Sequence, residues 1–367
     1  MAWIRGGRVG WRHAAALVAG FVLVAAASTS AAGPWKLEAG RTRGGLTLSA
    51  VSCTSPGWCA AVGYESDETA GLPSKVYAES GNGSAWTVAP SSGPKASWVT
   101  GVSCVASDWC QAVGYSVDKT NTLNERWNGR AWSQVSSPVA HGRLASVSCT
   151  SRAFCMAVGD DAGSRVGGLI ERWNGTKWSV VPSPRKGTAN TLTSVACVSP
   201  TWCAAVGLFA YKALRPNASS ALVEVWNGKA WHVVPARNPA LNSTVILYAI
   251  DCVSSTWCMA GGYGPTGALI EHWNGQAWTI MAHPSGVGSG YGAAVWGVSC
   301  VSQTACVAVG YDLPLAESWN GKVWSRMSTL DGWDEQGAPP QYFSGVSCIT
   351  ASLCKAVGDG TAIATSG

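Results

Sequence analysis

The sequence predicts an all-β fold, a seven-bladed β-propeller of four-stranded antiparallel blades, from three observations. A cysteine pair with the spacing C-x5-C occurs seven times, and its first cysteines lie 45 to 55 residues apart. Between these pairs a second motif, WNG-x2-W, recurs, as in "ERWNGRAWS" (Glu125 to Ser133). No helical periodicity of comparable length competes with the pattern. A repeat of this length is typical of propeller blades.

Each repeat divides into four short strands, and the third repeat serves as the example. Its predicted strands are "LASVSC" (Leu144 to Cys149), "CMAVG" (Cys155 to Gly159), "LIERW" (Leu169 to Trp173) and "KWSVVP" (Lys177 to Pro182). The Asn-Gly pair between the third and fourth strands favours a tight hairpin, because both residues tolerate positive φ. We therefore expect four antiparallel strands in every blade.

The two ends of the chain are expected to complete one blade together. The seventh repeat stops at "TAIATSG" (Thr361 to Gly367), where its third strand should be, so its fourth strand is missing. The segment "PWKLEAG" (Pro34 to Gly40) places Trp35 where other repeats have a fourth-strand tryptophan. We predict that this N-terminal strand completes the last blade and closes the ring.

Residues 1–32 have the order of a secretory signal peptide. Arg5, Arg8 and Arg12 precede the apolar run "AAALVAGFVLVAAA" (Ala14 to Ala27) and a stretch of small residues. The run is shorter than the roughly 20 residues of a membrane-spanning helix, so cleavage near Ala32 is expected, with an uncleaved anchor as the alternative. Residues 33–367 then form a single propeller domain without a membrane span, secreted to the extracellular space or the cell envelope.

The fourteen cysteines are expected to form seven disulfides, because export delivers the chain to an oxidising compartment. Joining the first two strands of a blade adds about 2 kcal/mol by the loop-entropy estimate. Thiolate-bound zinc is the alternative, but none of the five histidines falls into ligand spacing, so we expect no metal and no cofactor. The expected pairs are Cys53 with Cys59, Cys104 with Cys110, Cys149 with Cys155, Cys197 with Cys203, Cys252 with Cys258, Cys300 with Cys306 and Cys348 with Cys354.

The motifs SC-x5-C-AVG and WNG-x2-W together resemble the repeats of a group of secreted actinobacterial β-propellers, over about Pro34 to Gly367. The resemblance implies a propeller fold and export rather than a particular activity. The NG-x2-W turn is also similar to the Asp-box turn of sialidase-type propellers, which has the same Gly and Trp spacing. The position of the Asp-box aspartate is occupied here by Trp127, Trp173, Trp226, Trp273 and Trp319.

Residues that recur in nearly every repeat are assigned to the scaffold, because a ligand site normally uses few of seven equivalent positions. We expect the tryptophans of the WNG-x2-W turns in the core. An aromatic series is expected to cover the disulfides, with a flat binding platform as the alternative: Trp58, Trp109, Phe154, Trp202 and Trp257. Recurring glutamates are expected to bond between blades, with a ring of ligand contacts as the alternative: Glu79, Glu125, Glu171, Glu224, Glu271 and Glu317.

The loops leading into the later blades are the predicted binding surface. The distance from the last tryptophan of one repeat to the next first cysteine grows from 18 residues at Trp35 to 24 at Trp324. Aromatic residues on variable loops of a rigid ring are typical of ligand binding, although each one is alternatively a buried loop anchor. The predicted ligand-binding residues are Trp296, Asp331, Trp333, Asp334 and Tyr342, beside the further loop aromatics Tyr248, Tyr291 and Phe343.

The sequence favours a binding protein over an enzyme. It has no G-x-S-x-G, H-E-x-x-H or phosphate-cradling glycine motif. Without the three leader arginines it carries 22 basic and 20 acidic residues, which disfavours nucleic acid. We expect a monomeric secreted scaffold that binds carbohydrate or protein outside the cell. The alternatives are a sialidase-like glycan hydrolase or lyase using carboxylates of "LDGWDEQGAPPQYF" (Leu330 to Phe343), and a structural cell-envelope protein.

Overall fold

The computed structural model describes residues 35–37, 46–66, 73–81, 85–94, 97–116, 121–139, 141–161, 167–210, 219–238, 243–284, 293–311, 315–327, 342–358 and 363–366. These ranges form seven four-stranded antiparallel sheets, the blades of a β-propeller, as the sequence predicts. Within the same ranges we find no helix that is long and apolar enough to cross a membrane.

Each blade runs from an inner first strand to an outer fourth strand. The first strands are Leu46–Ser55, Ser97–Ala106, Arg143–Ser151, Ala189–Ser199, Ile246–Ser254, Ala294–Ser302 and Phe343–Thr350. The second strands are Trp58–Ser66, Trp109–Ser116, Phe154–Asp160, Trp202–Ala210, Trp257–Gly264, Ala305–Tyr311 and Leu353–Gly358. The third strands are Pro73–Gly81, Thr122–Trp127, Gly168–Trp173, Ser219–Trp226, Gly267–Trp273, Leu315–Trp319 and Ile363–Ser366. The fourth strands are Trp86–Val88, Trp132–Gln134, Trp178–Val180, Trp231–Val234, Trp278–Ile280, Trp324–Arg326 and, for blade 7, Trp35–Leu37.

Blade 7 contains both ends of the chain, which confirms the predicted ring closure. Its outer strand Trp35–Leu37 pairs antiparallel with Ile363–Ser366, and Trp35 lies opposite Ser366. The Trp35 side chain is 1% exposed, and its ring centroid lies 5.8 Å from that of Phe343. The first and last segments of the propeller therefore share one hydrophobic cluster.

The seven disulfides all join cysteines of one repeat, as predicted. In blade 3, Cys149 and Cys155 face each other directly at the end of the first hairpin, with their Cα atoms 4.0 Å apart. Each bond thus fixes the innermost hairpin of a blade, where the ring has its smallest radius.

A glycine in each second strand allows a bulge at the start of the first strand. In blade 3 the pairing register shifts between Leu144 and Ser146. A Cβ atom on Gly159 would lie 1.8 Å from the carbonyl oxygen of Arg143, so no larger residue fits there. The glycine of the AVG motif therefore determines how the chain enters the first strand.

The WNG motif connects three parts of a blade. In blade 3 the side-chain oxygen of Asn174 accepts the backbone N–H groups of Thr176 and Lys177, each at 3.0 Å. Gly175 follows with a φ of 97°, a conformation that favours glycine. The indole N–H of Trp173 donates to the carbonyl of Arg152 in the first hairpin, at 3.0 Å. The motif is structural, and this explains its recurrence.

The hydrophobic core lies between blades. One cluster combines Trp109 and Val113 of blade 2 with Leu144 and Trp178 of blade 3. The aromatic residues before the second cysteines belong to these clusters, but each one packs into the cluster that holds the disulfide of the following blade. Trp109, Phe154 and Trp257 are buried, so these side chains pack between blades and do not form an open binding platform.

The buried glutamates of the third strands link neighbouring blades, as predicted. In each case a group of the loop that leaves one blade contacts the glutamate of the next blade. The hydroxyls of Ser91, Ser137 and Ser183 donate to Glu125, Glu171 and Glu224 at 2.7, 2.8 and 2.9 Å. The Arg237 backbone N–H donates to Glu271 at 3.3 Å, and His283 Nδ1 lies 3.6 Å from Glu317. Glu79 differs, because it accepts a hydrogen bond from the Tyr77 hydroxyl of its own strand.

Candidate functional site

The first strands begin, and the second strands end, on the propeller face that carries the long loops. We call two residues of each blade its rim residues. The first rim residue lies six positions before the first cysteine, and the second rim residue follows the second-strand glycine. The two rim residues of a blade face each other across the sheet, as Trp98 faces Tyr115 and Ala294 faces Tyr311. The rim residues vary more between blades than the scaffold motifs do, so the rim is where one blade can differ chemically from another.

Trp296, Tyr311 and Tyr342 form an aromatic cluster, the trio, where blades 6 and 7 meet. The Trp296 ring centroid lies 5.7 Å from that of Tyr311 and 5.0 Å from that of Tyr342, and the two tyrosine centroids are 6.4 Å apart. Tyr311 is 37% exposed, and the other two side chains are partly exposed. A backbone bridge between Tyr311 and Tyr342 also connects the two blades here. Two rigid blades therefore hold three rings that remain partly accessible to solvent.

The structure brings together two of the five predicted ligand-binding residues, Trp296 and Tyr342. The other three, Asp331, Trp333 and Asp334, lie outside the described residues, as does the loop aromatic Tyr291. Phe343 is fully buried against Trp35 and is a core residue of the ring closure rather than a surface residue. Tyr248 is partly exposed and faces the central channel.

Sequence reasoning missed Tyr311, the most exposed member of the trio. It searched the lengthened loops, whereas Tyr311 is the last residue of a second strand. A signal was nevertheless present, because the residue after the second-strand glycine is tyrosine in four repeats: Tyr64, Tyr115, Tyr263 and Tyr311. An aromatic residue at one fixed place at the end of a strand indicates a surface that the repeat itself does not explain.

The trio borders the central channel of the ring. The first strands of all seven blades surround a cavity of about 280 Å³, and Trp296 and Tyr248 form part of its wall. Burial raises the pKa of Tyr248 above its ordinary value. Asp251 also lines the channel, and burial raises its pKa to about 6 although two backbone N–H groups oppose the shift.

The trio can bind a ligand without covalent chemistry. Its rings present apolar faces with a negative quadrupole, which attract C–H groups, and the two phenols can donate or accept hydrogen bonds. It contains no carboxylate, imidazole or thiol that would act as an acid, a base or a nucleophile. Over the ranges that the structure describes, no three His, Cys, Asp or Glu side chains are grouped to hold a metal ion.

No known protein family matches the chain, and no curated protein matches it either. Solved structures do match. The WD40 β-propeller domain of Doa1 superposes with a TM-score of 0.62 at 13% identity, over 91% of this chain and 97% of that chain. YCF48 bound to a D1 peptide gives a TM-score of 0.59 at 12% identity, over 92% of this chain and 99% of that chain. U3-55K gives 0.57 at 10% identity, over 91% and 98%. At these identities the likeness shows the fold: the chain shares the β-propeller architecture of these proteins.

Proposed function

We propose that this protein is an extracellular binding scaffold that recognises carbohydrate through the trio. In this proposal residues 1–32 are a signal peptide that is removed on export, and residues 33–367 are a secreted, monomeric propeller. The single observation that carries the proposal is the partly exposed cluster that Trp296 forms with the rim residues Tyr311 and Tyr342. An aromatic cluster of this kind is not needed to build a blade, because blades 1, 4 and 5 have Thr47, Thr191 and Ile246 at the rim position that Tyr342 occupies in blade 7.

The chemistry of the trio favours carbohydrate. One face of a pyranose ring carries mainly C–H groups, which pack on the electron-rich face of an aromatic ring. Tyrosine hydroxyls at the edge of such a platform exchange hydrogen bonds with sugar hydroxyls. Rigid aromatic side chains lose little conformational entropy on binding, and the blades already hold these three in place.

The seven disulfides support the proposed export, because such bonds persist in oxidising compartments. The resemblance of the repeats to secreted actinobacterial propellers supports it as well. A relation to Asp-box propellers is a further proposal, which rests on the shared NG-x2-W turn. The sialidase-like alternative relies on Asp331 and Asp334, which lie outside the described residues.

A protein ligand is the second candidate. YCF48 is a propeller whose solved structure contains a D1 peptide, so the same architecture can present a peptide-binding surface. Apolar side chains of a peptide would contact the same rings that we assign to sugar. Binding of cell-surface protein in place of glycan would select this candidate.

The test is a glycan array and a cell-wall pull-down with purified protein that lacks residues 1–32. We expect binding to specific glycans that is lost in the double variant Trp296→Ala/Tyr342→Ala and kept in Tyr263→Ala, which alters the rim in blade 5. Chromogenic glycosides in the same preparation should remain uncleaved. Unchanged binding by the double variant would overturn the proposed site, and glycoside cleavage would favour the hydrolase.

A further inference from the structure

A second aromatic cluster lies on the same rim, in blades 1 and 2. The Trp98 ring centroid lies 4.9 Å from that of Tyr115 in its own blade and 6.2 Å from that of Tyr64 in the preceding blade. All three side chains are partly exposed. Their arrangement repeats that of the trio, in which Tyr342 of blade 7 packs on Tyr311 of blade 6. In both cases the first rim residue of one blade contacts the second rim residue of the blade before it.

A charged pair borders this second cluster. The guanidinium carbon of Arg143 in blade 3 lies 5.7 Å from the Tyr115 ring centroid. Arg143 Nε is 3.9 Å from Asp160 Oδ2, which is longer than a hydrogen bond, and the two side chains are 49% and 32% exposed. The guanidinium therefore retains donors, and the carboxylate retains acceptors, for a third molecule.

The ring does not need these residues in order to close. The first rim position holds Thr191, Ile246 and Ala294 in blades 4, 5 and 6, and the same four-stranded sheets form there. Blade packing therefore does not require the tryptophan (Trp98) and the arginine (Arg143) that occupy this position in blades 2 and 3. Because the fold does not require these two side chains and both are partly exposed, we infer that they act at the surface.

The local charge defines the ligand. Arg143 and Asp160 carry opposite charges, so the pair beside the rings has no net charge. A charged polymer would be attracted by one member of the pair and repelled by the other, so a neutral ligand fits better. A neutral sugar would stack on Trp98 or Tyr115, accept hydrogen bonds from Arg143 and donate one to Asp160. Paired donors and acceptors beside an aromatic face suit the neighbouring hydroxyls of a pyranose.

We propose that Trp98, Tyr115, Arg143 and Asp160 form a second subsite for a neutral glycan, and that a long glycan chain occupies this subsite and the trio at once. The inference rests on the proposed function and adds a second contact region to it. Blade 7 contacts blade 1, so in the direction of ring closure only blades 7 and 1 lie between the blade 6–7 seam and blade 2. Linking two weak sites through one ligand raises its affinity without any new contact.

The test uses short and long members of a neutral β-linked oligosaccharide series with the full mature protein. By titration calorimetry the short sugars should bind at two sites on the wild-type protein and at one site on Arg143→Ala or Trp98→Ala. Long chains should bind the wild-type protein roughly tenfold or more tightly than short ones, and either variant should lose this gain. Lys186→Ala is the matched control, because Lys186 is also a cation placed over a ring, that of Phe209.

The outcomes separate the two proposals. If short sugars bind at one site that Tyr311→Ala removes and Arg143→Ala leaves intact, the second subsite is overturned and the proposed function stands. If Arg143→Ala removes binding and Tyr311→Ala does not, the subsite stands and the trio is wrong. Absence of binding to every sugar in the series overturns both. If Trp98→Ala lowers the melting temperature, the binding data of the Arg143→Ala variant alone test the second subsite, because Arg143 is exposed.

Discussion

Asp251 accepts the backbone N–H of Cys252, for which Ala196 of the preceding blade offers no side-chain acceptor. At most seams a serine before the first cysteine accepts the cysteine N–H of the next blade, as Ser148 accepts that of Cys197 at 3.0 Å. Blade 4 has Ala196 in this place. One oxygen of Asp251 accepts the N–H of Cys252 at 2.8 Å, and the other accepts that of Cys300 in the next blade at 2.7 Å. One carboxylate thereby satisfies both cysteine N–H groups, but only its bond to Cys300 joins two blades, because the bond to Cys252 lies within blade 5.

The pair Ala196 and Asp251 predicts a compensating double variant. Asp251→Ser should keep the bond to Cys300 but leave the buried N–H of Cys252 without a partner, which costs about 1 to 3 kcal/mol. Adding Ala196→Ser supplies the usual serine and should recover most of that loss. Denaturant unfolding of the two single variants and the double variant gives the coupling energy. Purely additive effects would show that the two positions do not act together.

The buried glutamates predict that stability falls as pH rises. Burial raises the pKa of Glu224 and Glu271 from 4.5 to about 7, although hydrogen bonds to each carboxylate oppose the shift. A raised acid pKa means that the folded state binds more protons, so the stabilisation is complete below the unfolded pKa and is lost as pH rises through about 7. Each shift corresponds to about 3 kcal/mol at most.

Urea unfolding at about pH 5 and about pH 8 tests this dependence. The wild-type protein should be more stable at the lower pH, and Glu224→Gln should reduce the difference in unfolding free energy between the two pH values. His283 acts in the same direction, because the carboxylate of Glu317 raises its pKa. Stability that increases over this range, or a Gln variant with the wild-type slope, would contradict the account.

Ring closure predicts a large effect from one residue near the N-terminus. Trp35→Ala should lower the free energy of unfolding by about 3 to 5 kcal/mol, as for a buried aromatic side chain truncated to alanine. Lys36→Ala is the matched control, since Lys36 is exposed on the same strand. Thermal and denaturant unfolding of both variants provide the comparison. Equal stability of the two would mean that Trp35–Leu37 does not complete blade 7.

The fold could be predicted because its determinants are local and repeated. Three determinants each act within one hairpin: a bulge glycine such as Gly159, a turn asparagine such as Asn174, and a cysteine pair. Because they recur along the chain, each repeat independently predicts the same blade. The closure by Trp35 followed from counting strands. Predicted strand ends were less accurate: the fourth strand of blade 3 ends at Val180, not Pro182.

The candidate site was only partly predictable, because contacts between blades depend on register. The first rim residue of one blade contacts the preceding blade, as Trp98 contacts Tyr64, which lies 34 residues earlier in the sequence. Tyr311 was not predicted because it ends a second strand, whereas the prediction concerned the lengthened loops. The sequence shows that Ala196 and Asp251 stand where the other repeats have serine, but only the structure shows that Asp251 accepts the N–H of Cys252.

Binding through the trio is the central claim, and Tyr311→Ala tests it most directly. Tyr311 is the most exposed member, so its truncation should change the melting temperature by no more than about 2 °C. Affinity for the glycan that the array identifies should fall roughly tenfold or more, as for the loss of an aromatic anchor. Tyr263→Ala, at the equivalent position of blade 5, should bind as the wild-type protein does. Equal affinities of the wild-type and Tyr311→Ala proteins would contradict the account.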